Sequence, residues 1–243
     1  MIIKSLTNPL VKHIIKLKED GKYRKEYQEV IVPGKKMIQE ISKIYIPKTI
    51  IITHKALLSD INASTILMTT DDVMKKISGL KEPEGILAIF PMPEEPLTIE
   101  KKERLLILDG LNDPGNVGTL IRTAYSLNFD GVIFTPNTVD PFNEKAMRAA
   151  KGASFFIPLF HKTPKEIQEI TKKENLNVYL ADIKGKNISS IKFKRPMALI
   201  LGSESHGSNL SLGEKVTIPM HHNADSLNVA ITGGIFMYIM HNA

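Results

Sequence analysis

Short apolar segments typical of β-strands alternate with helical patterns along nearly the whole chain of 243 residues. The strands are predicted at 30–32, 49–52, 65–68, 85–90, 104–109, 131–134, 157–160, 177–181, 197–201 and 216–218. The helices are predicted at 8–27, 35–44, 56–61, 71–78, 118–127, 143–151, 164–174 and 228–240. Such alternation favours an α/β fold with a mostly parallel sheet and helices on both of its faces.

A proline-rich stretch divides the chain into two parts. Residues 91–96 read PMPEEP, and three prolines with few apolar anchors favour an extended connection. We therefore predict a smaller N-terminal α/β domain at 1–90, a linker at 91–102 and a larger domain at 103–243.

Composition excludes several classes of protein. The chain has no cysteine, which rules out disulfides, thiolate metal sites and enzymes with a cysteine nucleophile, among them the RNA base C5-methyltransferases. It lacks both an apolar stretch of ~20 residues and the apolar core and cleavage site of a signal peptide. We expect a soluble protein of the cytoplasm, with an organelle matrix as the alternative.

Positive charge is concentrated near the N-terminus. The net charge of the chain is +6, and its first 46 residues hold ten lysines and arginines against five acidic residues. Such a surface suits the phosphates of a nucleic acid, although a solvated helix face would have the same composition.

Three segments each run from an apolar strand pattern into a polar loop. They read LLILDGLNDPGNVGTLIRTA at 105–124, MALILGSESHGSN at 197–209 and VTIPMHHNADSLNVA at 216–230. Glycines at strand-to-helix turns let backbone N–H groups approach a polar ligand, because no Cβ stands in the way. The first segment fits neither G-x-G-x-x-G nor the phosphate-loop pattern, so on spacing alone a structural turn is an equal alternative.

In this order the segments resemble the three signature motifs of the SpoU/TrmH group of RNA ribose 2′-O-methyltransferases, within the SPOUT superfamily. The matching residues are Asn112, Gly115, Asn116, Gly118 and Arg122, then Gly202, Glu204 and Gly207, then Ile218, Pro219, Met220, Ser226, Leu227 and Asn228. Residues 32–41 (VPGKKMIQEI) and 82–90 (EPEGILAIF) resemble the N-terminal RNA-binding domain, related to ribosomal-protein folds, of many SpoU-type rRNA enzymes. Relatives usually have Glu where Pro33 stands, so the resemblance assigns no contact to this position.

The resemblance implies a fold and a function. The C-terminal part of the chain would form a trefoil knot, the cofactor would be S-adenosyl-L-methionine, and the last helix would lie at a homodimer interface. The expected reaction is methylation of a ribose 2′-hydroxyl, with large-subunit rRNA favoured over tRNA because a separate N-terminal domain is present. A tRNA 2′-O-methyltransferase and a catalytically silent RNA-binding relative are the alternatives, and another α/β nucleotide enzyme would use the 112–118 loop for phosphate.

The same resemblance implies a set of site residues. The catalytic candidates are Arg122, Asn116 and Glu204. The cofactor-binding candidates are Leu201, Gly202, Ile218, Met220, Leu227 and Asn228. From the charge distribution, the RNA-binding candidates are Lys12, Lys22, Arg24, Lys25, Lys35 and Lys36.

We expect a distinct role for each catalytic candidate. Arginine stays protonated, so Arg122 is expected to bind the phosphate beside the target ribose rather than to act as a base. Asn116 would position Arg122 or the ribose, and the alternative is that it only completes the turn. Glu204 would orient a loop or accept the proton, and the alternative is a helix-capping role.

Neither metal binding nor aromatic stacking is predicted. His206, His221 and His222 lack the spacing of metal ligands. The chain has no tryptophan, and Tyr23, Tyr27 and Phe142 are isolated in the sequence, so stacking on RNA has no support at this level.

Overall fold

The computed structural model describes residues 2–58, 61–100, 102–203 and 206–243. The chain divides into two compact units, one made of Met1–Glu94 with Phe142–Met147 and the other of Glu95–Pro141 with Arg148–Ala243.

The elements of the first unit follow the predicted alternation. The strands are β1 (Ile2–Ile3), β2 (Glu29–Pro33), β3 (Thr49–Ile52), β4 (Thr65–Thr69) and β5 (Ile86–Pro91). The helices are α1 (Pro9–Glu19), α2 (Gly21–Tyr27), α3 (Lys35–Ile41) and α4 (Asp71–Ser78), with a short 3-10 helix at Lys55–Leu58. The strands form a mixed sheet of order β1-β4-β3-β5-β2, in which β5 runs antiparallel to β3 and β2.

The elements of the second unit form a parallel α/β layer. The strands are β6 (Arg104–Asp109), β7 (Gly131–Phe134), β8 (Leu159–His161), β9 (Asn177–Asn187), β10 (Met197–Gly202) and β11 (Glu214–Thr217). The helices are α5 (Pro114–Ser126), α6 (Glu144–Ala150), α7 (Pro164–Lys173) and α8 (Val229–His241), although most of α6 falls in the first unit. The sheet order is β11-β9-β10-β6-β7-β8, and every neighbouring pair is parallel.

Both faces of the second sheet are buried, as parallel sheets require. Leu105 and Ile107 belong to a core cluster that includes Ile167 of α7. The alternate residues Leu106 and Leu108 are also buried, on the opposite face. The predicted α/β class with a mostly parallel sheet is therefore confirmed, while the trefoil knot stays a prediction.

Several predicted elements differ from the structure. The strand predicted at 177–181 continues to Asn187, and the helix predicted at 35–44 ends at Ile41. The helix predicted at 8–27 is two helices, because Asp20 adopts an extended backbone and its side chain caps α2. The helix predicted at 118–127 begins at Pro114, where Asp113 accepts a hydrogen bond from the backbone N–H of Asn116, so Gly115 is helical rather than a loop residue. The helix predicted at 56–61 is a 3-10 turn as far as Leu58, and residues 59–60 lie outside the described residues.

Candidate functional site

A cavity of about 560 Å³ opens beside the middle of β9, the ends of β10 and β11 and the start of α8. Its lining combines apolar side chains with a few charged ones, as is typical of small-molecule sites. The residues that line it are Leu180, Ala181, Asp182, Ile183, Lys184, Leu201, Gly202, Ser203, His206, Gly207, Ser208, Lys215, Val216, Thr217, Ile218, Met220, Asp225, Ser226, Leu227, Val229, Thr232 and Phe236.

One wall of the cavity is a bulge in β9. Lys215 of β11 pairs with Leu180, but the next residue, Val216, pairs with Lys186. The residues 181–185 of β9 therefore loop away from the ladder, and 181–184 line the cavity. The bulge closes at Gly185, where a Cβ atom would overlap the backbone of β11.

A carboxylate in this bulge is held by lysine residues. Asp182 Oδ2 lies 2.8 Å from Lys215 Nζ, and Asp182 Oδ1 accepts a hydrogen bond from the backbone N–H of Lys184 at 2.8 Å. The hydrogen bond from Lys215 and the one from Lys184 lower the pKa of Asp182 below its ordinary value. Asp182 is thus a fixed negative charge in the cavity wall at neutral pH.

A tight hairpin follows β10 at the edge of the cavity. The backbones of Ser203 and Gly207 exchange two hydrogen bonds of 2.9 Å each, and Gly207 has a positive φ of 69°. Gly202 packs directly on this hairpin, because a Cβ atom there would overlap the backbone of Gly207 and Ser208. The catalytic candidate Glu204 follows Ser203 in the sequence and lies outside the described residues.

Asp109 ties the segment after the hairpin to the end of β6. It is only 5% exposed. Its Oδ2 accepts hydrogen bonds from Ser208 Oγ at 2.8 Å and from the backbone N–H of Asn209 at 2.7 Å. Asp109, the last residue of β6, therefore fixes the position of the end of the second motif.

A direct hydrogen bond joins the first and third motifs. Asn228 Nδ2 donates to Asn116 Oδ1 at 3.2 Å, while Asn228 Oδ1 caps α8 by accepting from the backbone N–H of Ala230 at 2.9 Å. The two helix N-termini are thus held side by side. Further along, α8 packs closely on the protein through Gly233, where a Cβ atom would overlap the side chains of Leu120 and Leu201.

The structure brings most of the predicted cofactor residues together. Leu201, Gly202, Ile218, Met220 and Leu227 line the cavity, and Asn228 stands at its edge as the cap of α8. Arg122 is not among the lining residues that the structure describes, and its side chain is exposed on α5. Asn116 meets Asn228, so its observed partner is the third motif.

Sequence reasoning missed several residues of the site. Asp109 ends a buried strand, and Asp182 follows the end of a predicted one; both positions are at the edge where parallel sheets bind ligands. Thr232 and Phe236 line the cavity from α8, where the pattern indicated only a buried helix.

The predicted RNA-binding residues of the first unit need one correction. Lys12, Lys22, Lys25 and Lys36 are exposed and Lys35 is half-buried. Arg24 is only 2% exposed, and its Nη1 donates to the carbonyl oxygens of Leu17 at 2.6 Å and Lys18 at 2.9 Å. Because Arg24 satisfies the C-terminal carbonyls of α1, it is a structural residue and not a surface contact.

The expectation that the tyrosines are isolated is wrong for one pair. The rings of Tyr23 and Tyr27 lie 4.3 Å apart between centroids, one turn apart on α2. The i, i+4 spacing was the sequence signal for this contact.

Within the described residues, no three His, Asp or Glu side chains are grouped as a metal site would need. The same residues contain no helix long and apolar enough to cross a bilayer.

Comparison with known proteins agrees with the motifs. Residues 103–238 match the model of the SpoU rRNA Methylase family, and residues 8–88 match the MRM3-like substrate binding domain. The chain is 32% identical over 245 residues to the 23S rRNA (guanosine(2553)-2′-O)-methyltransferase RlmP of Bacillus subtilis, covering 97% of each protein. It is 24% identical to the mitochondrial rRNA methyltransferase 3 of Homo sapiens, over 89% of this chain and 68% of that protein.

A solved structure shares the whole architecture. The AdoMet-bound rRNA methyltransferase from Sinorhizobium meliloti superimposes with a TM-score of 0.88 at 27% identity, covering 100% of this chain and 97% of that one. With a family model over more than half of its length and a relative at 32% identity over nearly all of it, the chain belongs to the SpoU rRNA methylase family.

Proposed function

We propose that this protein transfers a methyl group from S-adenosyl-L-methionine to a ribose 2′-hydroxyl of large-subunit rRNA. The observation that carries the proposal is the convergence of three sequence motifs on one site. Asn116 of the first motif bonds Asn228 of the third, and the second and third motifs line one cavity. The relative from Bacillus subtilis, named for 2′-O-methylation of 23S rRNA, supports the choice of substrate.

The cavity suits the cofactor in size and in chemistry. Its volume of about 560 Å³ is that of a small-molecule site. Leu201, Ile218 and Leu227 would pack around the adenine, while backbone groups beside them would bind its polar edge. When bound, S-adenosyl-L-methionine supplies an activated methyl group on a positively charged sulfur.

Alignment of the ribose is the main task left to the protein. The 2′-hydroxyl is a weak, neutral nucleophile, and it must lie in line with the bond that breaks. Arg122 would hold the phosphate beside the target ribose, since a guanidinium binds phosphate with two parallel hydrogen bonds. Its exposure on α5, outside the cavity lining, suits a contact to RNA rather than to the cofactor.

Asn116 and Glu204 would complete the site. Asn116 holds α5 to the cap of α8, so it would fix the helix that carries Arg122 relative to the cavity. Glu204 belongs to the second motif of the sequence and would receive the proton that leaves the 2′-oxygen as its bond to carbon forms. The proton would leave late, after the methyl group has begun to transfer.

The N-terminal unit would hold the RNA. We propose the domains 1–90 for RNA binding, 91–102 as a linker and 103–243 for methyl transfer. The match of residues 8–88 to a substrate-binding domain supports this organisation. Lys12, Lys22, Lys25, Lys35 and Lys36 would contact phosphates.

A second copy of the chain would cover α8. Ile231 and Tyr238 are exposed on this helix two turns apart, so they present one apolar stripe. Such a stripe supports the homodimer expected from the sequence. The cytoplasmic location also remains our proposal.

Incubation with labelled S-adenosyl-L-methionine tests the function. Purified protein receives protein-free rRNA and tRNA in separate reactions, and the label is mapped after complete nuclease digestion. We expect label on a ribose of large-subunit rRNA. Label on a base would refute the reaction, and label only in tRNA would refute the substrate.

A further inference from the structure

Two tyrosines of the first unit form a stacked pair at the surface. Tyr23 and Tyr27 lie on the same side of α2, with ring centroids 4.3 Å apart and ring planes inclined by 33°. Tyr23 is partly covered, while Tyr27 is 45% exposed. The Tyr23 ring thus contacts the Tyr27 ring, while nearly half of Tyr27 is exposed to solvent.

Hydrogen bonds fix the inner members of this cluster. His13 of α1 meets both rings edge-on, at centroid distances of 5.5 Å from Tyr23 and 5.0 Å from Tyr27. Its Nδ1 lies 3.0 Å from the Tyr23 hydroxyl, and its Nε2 lies 2.7 Å from Glu29 Oε2. Because α1, α2 and β2 all hold the cluster, the tyrosine pair needs little ordering before it binds a ligand.

The tyrosine pair carries no charge of its own at neutral pH. The Tyr27 side chain, together with burial, raises the pKa of Tyr23 to about 12. The Glu29 carboxylate, the acid beneath the cluster, also bonds Lys48 Nζ at 2.9 Å. An anionic ligand that binds the rings would therefore contact neutral side chains, and the Glu29 carboxylate near them is already paired with Lys48.

Positive charge lies beside the rings. Lys16 Nζ stands 5.3 Å from the centroid of Tyr23, within the range of a cation–π contact. Lys12 is exposed one helical turn away on α1. An open aromatic face beside lysines is the combination that binds single-stranded nucleic acid, because bases stack on the rings while lysines hold phosphates.

We propose that Tyr27, backed by Tyr23, is a stacking platform for one unpaired nucleobase of the substrate RNA. This inference rests on the proposed function and adds to it a requirement: the RNA must present an unstacked base to the first unit. A platform of this kind discriminates against continuous duplex, because paired bases do not expose their faces.

Substitution of Tyr27 tests the platform by affinity. Full-length protein and protein-free large-subunit rRNA are mixed, and the dissociation constant is measured for wild type, Tyr27→Ala and Tyr27→Phe. Loss of a stacked base weakens binding by about 10-fold or more, so Tyr27→Ala should do so, and Tyr27→Phe, which keeps the ring, should not. The control Ile46→Ala removes another exposed apolar side chain of this unit, 69% exposed, and should leave affinity unchanged.

The salt dependence separates stacking from phosphate binding. Tyr27→Ala should weaken binding equally at every salt concentration, whereas Lys12→Ala should lower the slope of log affinity against log salt by about 1. Wild-type affinity in Tyr27→Ala would overturn the platform.

A fluorescent variant keeps the proposal testable even if Tyr27→Ala folds poorly. The chain has no tryptophan, so Tyr27→Trp introduces a single indole. Its fluorescence should be quenched on addition of the rRNA, and Tyr238→Trp in the second unit should show less quenching. Unquenched fluorescence with bound RNA would refute stacking. Absence of methyl transfer and of RNA binding in wild type would instead refute the proposed function itself.

Discussion

At the scale of single residues, two polar side chains, the buried Asp109 and the exposed Asn228, position the loops around the cavity. Asp109 binds the segment after the second motif, and Asn228 binds the first motif while capping α8. Each of these side chains joins segments that are about a hundred residues apart in the chain. Replacement of Asp109 or Asn228 should therefore disturb the cavity as well as the segment in which the residue itself lies.

Asp109→Ala should weaken cofactor binding. Loss of the carboxylate leaves the N–H of Asn209 and the hydroxyl of Ser208 without this acceptor, which costs about 1–3 kcal/mol of stability and loosens the cavity edge. Calorimetric titration with S-adenosyl-L-methionine measures the affinity, and urea denaturation measures the stability.

Asp130→Ala is the matched control for Asp109→Ala. Asp130 Oδ2 accepts from the backbone N–H groups of Glu103 and Arg104, at the opposite end of β6. Its loss should lower stability by a similar ~1–3 kcal/mol but leave cofactor affinity unchanged. Equal losses of affinity in both variants would contradict a specific role for Asp109.

Asn228→Asp and Asn228→Ala should separate the two roles of this residue. Aspartate keeps the acceptor that caps α8 but loses the donor to Asn116, so stability should hold while methyl transfer falls. Alanine loses both, and unfolding free energy should drop by about 0.5–2 kcal/mol. Urea denaturation and a transfer assay measure the two effects; unimpaired transfer by Asn228→Asp would show that the hydrogen bond between the motifs is dispensable.

At the scale of secondary structure, close helix packing fixes α8 against α5 and β10. Gly233 lies where a side chain would meet Leu120 and Leu201, whereas an added Cβ at Gly234 would have open space around it. Two adjacent glycines of one helix thus have different roles.

Gly233→Ala and Gly234→Ala should change stability in opposite directions. Overpacking at Gly233 should cost about 1–3 kcal/mol. Alanine at Gly234 should add up to ~1 kcal/mol, because it favours the helix and meets no neighbour. Thermal unfolding of both variants checks the pair. A stabilised Gly233→Ala would contradict the close packing.

Because of Asp182 in the bulge of β9, we expect the stability of the folded protein to depend on pH in the acid range. Lys215 and Lys184 hold the pKa of Asp182 below its ordinary value of 3.8, so the group stabilises the folded protein above that pH and loses this contribution as the pH falls through the lowered pKa. Lys215→Met should raise the pKa of Asp182, as measured by NMR titration of its carboxyl carbon. An unchanged pKa in that variant would show that the Lys215 contact does not hold Asp182.

Several elements could be predicted from the sequence because their signals are local. The apolar runs at Arg104–Asp109 and Gly131–Phe134 define strands at the predicted bounds. The predicted start of α5 was too late, because the glycines of this segment favoured a loop. The helix in fact begins where Asp113 provides the cap and a proline follows it. The bulge of β9 depends on pairing with β11, which no local pattern reveals.

At the scale of the whole molecule, the site is an assembly of distant segments. The motifs predicted five residues that do line the cavity, because the resemblance to the family assigned them to the cofactor site. The partners Asp109 and Asp182 became apparent only from the order of parallel strands, which sets segments far apart in the chain side by side. We expect the two units to divide the work between RNA binding and methyl transfer.

The transfer assay with Arg122→Ala tests whether this arginine aligns the target ribose with the methyl group. Labelled S-adenosyl-L-methionine and large-subunit rRNA are given to wild type and to the variant, and cofactor affinity is measured in parallel. We predict that the variant binds the cofactor as wild type does and loses transfer by about 10²-fold or more, because the ribose is no longer held in line. Full transfer by Arg122→Ala would contradict the account.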